Sequence, residues 1–208
     1  MGKRFTIVTA VAVILALAAT PALAKTVLKL GTSTQPSHIY NVAAEFFAKE
    51  VAAASKGEIE VQVFPASQLG SERDMVEGLQ LGTLEMTLTS TGPLGNFVPQ
   101  VKLFNLPFLF KDRETCYKVL DGPVGTQIAA RFPAVGIRSL GWYENGFRNI
   151  TNSKRAINKI EDLEGLKLRV IPNAINVDWV KAVGANPTPM AFPEVYATVF
   201  SGFYVPFT

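Results

Sequence analysis

The stretch that decides the fold is Val27–Phe64, VLKLGTSTQPSHIYNVAAEFFAKEVAAASKGEIEVQVF. Val27 to Leu30 reads as a short apolar strand ending at Gly31, and the polar segment Thr32 to Ser37 leads out of it. Tyr40, Ala43, Ala44, Phe47 and Val51 then recur at helical spacing within Ile39 to Lys56, and Gly57 stops that helix. Ile59, Val61 and Val63 alternate with Glu60 and Gln62, a strand with one wetter face. Strand, helix and strand in succession predict an α/β fold with a largely parallel sheet.

The same alternation runs toward the carboxyl end. Ser71-Glu72-Arg73-Asp74 fits a capping box for a helix carrying Met75, Val76 and Leu79 and closing near Gly82. Leu84, Met86 and Leu88 predict a strand that ends in the loop Thr89 to Pro93. Leu103 to Phe110, LFNLPFLF, is a dense apolar run broken by Pro107 and is expected to pack into the core as an irregular segment. Asp112 caps a helix to Leu120, a second helix covers about Val124 to Arg131, and Ile137 to Trp142 reads as a strand. The turn cluster Glu144-Asn145-Gly146 marks the expected crossing between a first domain, 25–145, and a second, 146–208. Beyond it, Leu166, Leu168 and Val170 alternate with Lys167 and Arg169, and a helix with Ile175, Trp179 and Val183 on one face closes at Gly184.

The amino end reads as a signal peptide: Lys3 and Arg4, an apolar stretch from Phe5 to about Ala18, and Ala22-Leu23-Ala24 with cleavage expected after Ala24. A location outside the cytoplasm is expected. The chain of 208 residues carries 20 Lys and Arg against 17 Asp and Glu; without Lys3 and Arg4 the count is 18 against 17. With opposite charges interspersed, nothing resembles a nucleic-acid-binding stripe, and no nucleic acid is expected as partner. One cysteine, Cys116, and one histidine, His38, exclude an internal disulfide and zinc sites built from several Cys and His ligands, and Cys/His or Ser/His nucleophile pairs are not expected. No catalytic residue, metal or cofactor is expected, and Cys116 reads as a structural thiol.

In open α/β sheets ligands sit outside the carboxyl ends of strands, which singles out Ser33 and the Ser90-Thr91 loop. Arg169 lies near the carboxyl end of its strand, where a planar guanidinium can grip a carboxylate through two parallel hydrogen bonds or pair with an internal Asp or Glu. The same two readings are open for Arg148. A helix start near Asn173 offers backbone N–H groups to an anion, and Phe192 offers an apolar cleft wall or a core residue.

The strings FPASQLGSERDMVEGLQLGTLEM, LPFLFKDRE, LDGPVG, GFRNITNSKRAI, DLEGLKLRV and GANPTPMAFPEVY resemble the solute receptors of tripartite ATP-independent periplasmic (TRAP) transporters, of the C4-dicarboxylate-receptor type, from about Leu28 to Tyr196. The resemblance implies a periplasmic-binding-protein-like clamshell of class II type, not an enzyme. Such a receptor binds an organic acid between two domains and hands it to the transporter's membrane subunits. It also implies that Arg169 pairs with the ligand carboxylate, that Arg148, Asn173 and Phe192 assist, and that Ser33 and Ser90 lie in loops reaching the ligand. Family members continue into a GQENP-like motif with another ligand-contacting asparagine; here Val199 to Thr208 departs from that pattern and reads as a truncated or frame-shifted end, leaving the second domain incomplete. A non-functional remnant and, further off, a secreted enzyme acting on an organic acid are the other readings. A sheet lacking its covering elements exposes apolar faces at about 25 cal/mol per Å². The 208-residue product is therefore expected to be poorly stable or to aggregate, and to bind weakly if at all; a cooperative thermal transition together with tight organic-acid binding would refute this.

Overall fold

The computed structural model describes residues 25–200. The expected leader, with its cleavage site, and the divergent segment from residue 201 onward lie outside the described residues. Three strands, β1 (Thr26–Thr32), β2 (Ile59–Phe64) and β3 (Met86–Leu88), form a parallel sheet in the order β2-β1-β3. Leu30 stands opposite Val63 on one side and Met86 on the other. Helix α1 (Ile39–Ala54) lays Ala44, Phe47, Ala48 and Val51 over Leu28, Leu30, Val61 and Val63. Helix α2 (Glu72–Leu81) buries Met75 and Val76 completely, and a methyl group on Gly31 would lie 2.5 Å from the Met75 sulfur, so the sheet approaches this helix where only glycine fits.

A short helix α3 (Thr91–Leu94) and a 3₁₀ segment (Pro99–Asn105) follow, then α4 (Arg113–Leu120) and α5 (Pro123–Ala129). Asp112 caps α4 by accepting from the Thr115 N–H at 2.8 Å. Val98, Val101, Ile128 and Phe132 make a second core cluster, closed by Trp142 edge-on to Phe104 at 5.3 Å. Two expectations need correction here. Ile137 to Trp142 is not a strand: among the described residues it has no ladder partner, and its apolar side chains Ile137 and Trp142 pack on this cluster instead. The run Leu103 to Phe110 is only partly core. Phe104 packs on Trp142, whereas Phe108, in a left-handed backbone conformation just past Pro107, is fully exposed and Leu103, Leu106 and Leu109 leave about 40 % of their surface to solvent.

The second sheet pairs β4 (Lys167–Val170) with β5 (Asn186–Pro189) in parallel. Pro187 and Pro189 argue against a strand in sequence, yet here they alternate with the donors: the Asn186 N–H bonds the Leu166 carbonyl at 2.8 Å and the Met190 N–H bonds the Val170 carbonyl at 3.0 Å. The missing proline N–H groups therefore fall on the side away from β4, as edge strands permit. Helix α6 (Ala174–Ala182) packs Val180 on Leu168 and Val170, and α7 (Phe192–Phe200) ends the described chain. No described helix is long and apolar enough to cross a membrane.

The capping box of α2 is complete: Ser71 Oγ accepts from the Asp74 N–H at 3.3 Å, and Asp74 Oδ2 accepts from the Ser71 N–H at 2.8 Å. Ser71→Ala is expected to lower stability by about 1 kcal/mol in urea unfolding, the usual worth of an N-cap.

Candidate functional site

Because β1 and β3 run parallel, their carboxyl ends open at the same edge of the sheet, and the Ser33 and Ser90 loops stand side by side there. The first loop is pinned from α1. Thr32 Oγ1 donates to Asn41 Oδ1 at 2.6 Å, while Asn41 Nδ2 donates to the Thr34 and Gln35 carbonyls at 3.1 and 2.7 Å. Ser33 is buried in this turn. Ser90 is held differently: its N–H and hydroxyl both donate to the Glu72 carboxylate, at 2.7 and 3.0 Å. Glu72 opens α2 and was not among the residues singled out from sequence, where it looked like one solvated letter of a capping motif.

Across from this edge, β4 presents Arg169, buried to 6 % exposure. Its Nε and Nη2 donate to the Met190 carbonyl at 3.0 and 2.7 Å, a clamp possible because β5 ends beside β4. No carboxylate lies within 4.0 Å of Arg169 or of Arg148 among the described residues, since every ion pair found there involves other groups. Burial lowers the Arg169 pKa most; Glu72 opposes the fall, Arg148 adds to it and Glu194 opposes it. Arg148, half-buried in the extended segment after the turn at Gly146, is lowered first by burial, with Tyr40 and Glu72 opposing. Two guanidiniums, the Glu72 carboxylate and the Tyr40 phenol thus share one electrostatic neighbourhood, with Glu194 acting on Arg169 alone. Tyr40 too was missed in sequence, where its place on the apolar face of α1 was signal enough to read it as core.

Asn173 is engaged within the protein. Its Oδ1 caps α6 by accepting from the Ile175 N–H at 2.9 Å, and its Nδ2 donates to the Gly92 carbonyl at 2.9 Å. Asn96 Nδ2 adds a bond to the Pro172 carbonyl at 3.3 Å, and a methyl group on Gly92 would lie 2.5 Å from Ile171 Cγ2. Asn173 therefore ties the segment after β4 to α3, and Gly92 is what lets the two approach. Phe192 begins α7 with 40 % of its surface exposed. A hollow of about 580 Å³ lined by Ile150 to Ile157 is the wall of one surface loop and includes none of these groups.

The described residues contain no group of three or more His, Cys, Asp or Glu side chains able to hold a metal. Burial, with Glu144 and Asp121, pushes the Cys116 thiol up, which suits a structural role better than a nucleophilic one.

Burial, then Glu72, push the Tyr40 phenol up from 10.0 to about 12, with Arg148 pulling the other way. Its folded pKa is raised, so the associated stability is fully present below pH 10 and is lost as pH rises toward about 12. Denaturation followed across that window is expected to show a shallower loss in Tyr40→Phe than in the parent chain.

Comparison with known proteins places this geometry. Residues 30–202 match the family model described as bacterial extracellular solute-binding protein, family 7. A solute-binding protein of Verminephrobacter eiseniae is 44% identical over 181 residues, covering 87% of this chain and 54% of the relative. The 2,3-diketo-L-gulonate-binding periplasmic protein of Escherichia coli is 36% identical over 182 residues, 88% of this chain and 56% of its own length. A crystal structure of a TRAP periplasmic solute binding protein from a Polaromonas species, bound to D-erythronate, superposes with a TM-score of 0.85 at 44% identity, over 87% of this chain and 60% of that one. The chain thus spans a little over half the length of the relatives it matches, and over that span it has their periplasmic-binding-protein α/β fold. A buried arginine clamped at a strand end, in a chain that matches the family model from the first strand through the last helix, has one consistent placement: the chain belongs to family 7 of the bacterial extracellular solute-binding proteins.

Proposed function

We propose that the chain acts as the extracytoplasmic receptor of a TRAP-type secondary transporter, gripping a small organic acid through Arg169 and Arg148 and delivering it to the membrane subunits. The observation that carries this reading is the buried Arg169 guanidinium without a carboxylate partner among the described residues. Burying an ion costs several kcal/mol unless geometry and countercharge offset it. The Met190 carbonyl orients the fork but supplies only a dipole, so a ligand carboxylate is the missing charge. The acids carried by similar proteins, D-erythronate and 2,3-diketo-L-gulonate, fit that chemistry.

In this reading Ser33 and Ser90 contact the ligand from the first lobe, Asn173 assists the arginines at the ligand while joining the lobes, and Phe192 walls the cleft. The lobes divide at 145/146, a boundary supported by the change of core: Ile137 and Trp142 pack on the Val98 cluster, whereas Ile150 and Ile157 pack on the Leu168 cluster. A ligand touching both lobes stabilises the closed state by its differential affinity, and the closed receptor docks on the transporter. Export through a leader cleaved after Ala24 sets the protein in the periplasm, and no chemistry is performed on the acid.

Replacing Arg169 by Ala is expected to weaken organic-acid binding by about 100-fold or more, the cost of removing one partner of a desolvated charge pair. Calorimetric titration with D-erythronate and related acids measures it; an unchanged affinity would exclude Arg169 as the anchor.

A further inference from the structure

The receptor reading leaves open which charge the cleft accepts, and the inference drawn here rests on that reading. We propose that Glu72 is a fixed counter-ion that sets the ligand's charge, tuning the site to an acid with a single carboxylate and several hydroxyl groups and against acids with two carboxylates. Both Glu72 oxygens are engaged by Ser90, one by its N–H at 2.7 Å and one by its hydroxyl at 3.0 Å, so the carboxylate is held in place rather than swinging out to water. Ser90 in turn stands at the start of α3, whose Gly92 carbonyl is bonded by Asn173, four residues beyond Arg169. A continuous set of contacts thus carries the position of Glu72 to the strand end that holds Arg169.

The charge of Glu72 acts on both guanidiniums. Two arginines, one glutamate and a neutral Tyr40 leave a net charge of +1, which one carboxylate neutralises. A second carboxylate would enter a site already balanced and would face Glu72 at low effective dielectric. Glu194, the other acid acting on Arg169, is exposed on α7 and largely screened. The Ser90 hydroxyl, its proton committed to Glu72, keeps lone pairs to accept from a ligand hydroxyl.

The test uses acid pairs that share a carbon skeleton and differ only in whether the far terminus is CH₂OH or carboxylate: D-erythronate with meso-tartrate, and D-galactonate with galactarate. Ligand-observed NMR titration of the purified chain at neutral pH reads even weak dissociation constants. The monocarboxylate of a pair is expected to bind about tenfold or more tightly than its dicarboxylate, the effect of one like charge in a partly desolvated site. Glu72→Gln, which keeps size and an acceptor for Ser90, is expected to bring that ratio to one or reverse it, and Glu72→Asp, which keeps the charge, to preserve its direction. A wild-type chain that binds the dicarboxylate equally or better, or a Glu72→Gln ratio equal to wild type, overturns the assignment of Glu72. Arg169→Ala separates the two levels. If it abolishes binding while the ratio contradicts the expectation, only the charge assignment falls; if neither pair binds at all, the receptor reading falls with it.

Discussion

A buried guanidinium that has no carboxylate within ion-pair distance among the described residues organises this molecule. Arg169 is held at the end of β4 by the Met190 carbonyl, and Met190 is where it is because β5 runs parallel to β4 and delivers its last donor to Val170. An ion in such a place destabilises the chain that carries it until a countercharge arrives. The structure keeps it there by surrounding the strand with a fully apolar cluster, Leu168, Val170 and Val180 each being completely buried. In the receptor function proposed above, stability is thereby exchanged for a site that its ligand completes electrostatically.

The opposite wall is built by different means. A three-stranded parallel sheet brings two loops to one edge, and polar side chains from the helices fix them: Asn41 of α1 holds the Thr32 to Gln35 turn, and Glu72 of α2 holds Ser90. The helices that cover the apolar sheet with one face thus furnish polar positioning groups from their first turns. Between the walls runs a close contact, Gly92 against Ile171, bridged by Asn173 and Asn96. That contact ties α3, which Ser90 opens, to the segment that follows Arg169.

Much of the fold was legible in the chain. The Val27–Phe64 stretch declared its strand, helix and strand through periods of two and 3.6, and the capping box at Ser71 and the Asp112 cap appear with the bonds their residue types imply. Where the reading failed, the cause is long-range pairing. Ile137 to Trp142 has the composition of a strand but no neighbouring ladder among the described residues, while β5, a strand the sequence did not announce, lies where Pro187 and Pro189 cost no hydrogen bond. Pairing is a property of neighbours distant in sequence, and composition does not carry it.

The site divides along the same line. Local pattern determined that an arginine stands near a strand's carboxyl end, that small polar residues follow β1 and β3, and that one histidine and one cysteine leave little room for nucleophilic or zinc chemistry. Only the tertiary structure decided that Arg169 is clamped by a carbonyl rather than neutralised by an acid, that Asn173 is committed to Gly92, and that Glu72 and Tyr40 belong with the two arginines. The reason is physical: backbone periodicity is set by neighbours a few residues away, whereas charge balance depends on groups brought within a few ångströms from positions up to about a hundred residues apart, and electrostatic energy reads distance in space alone.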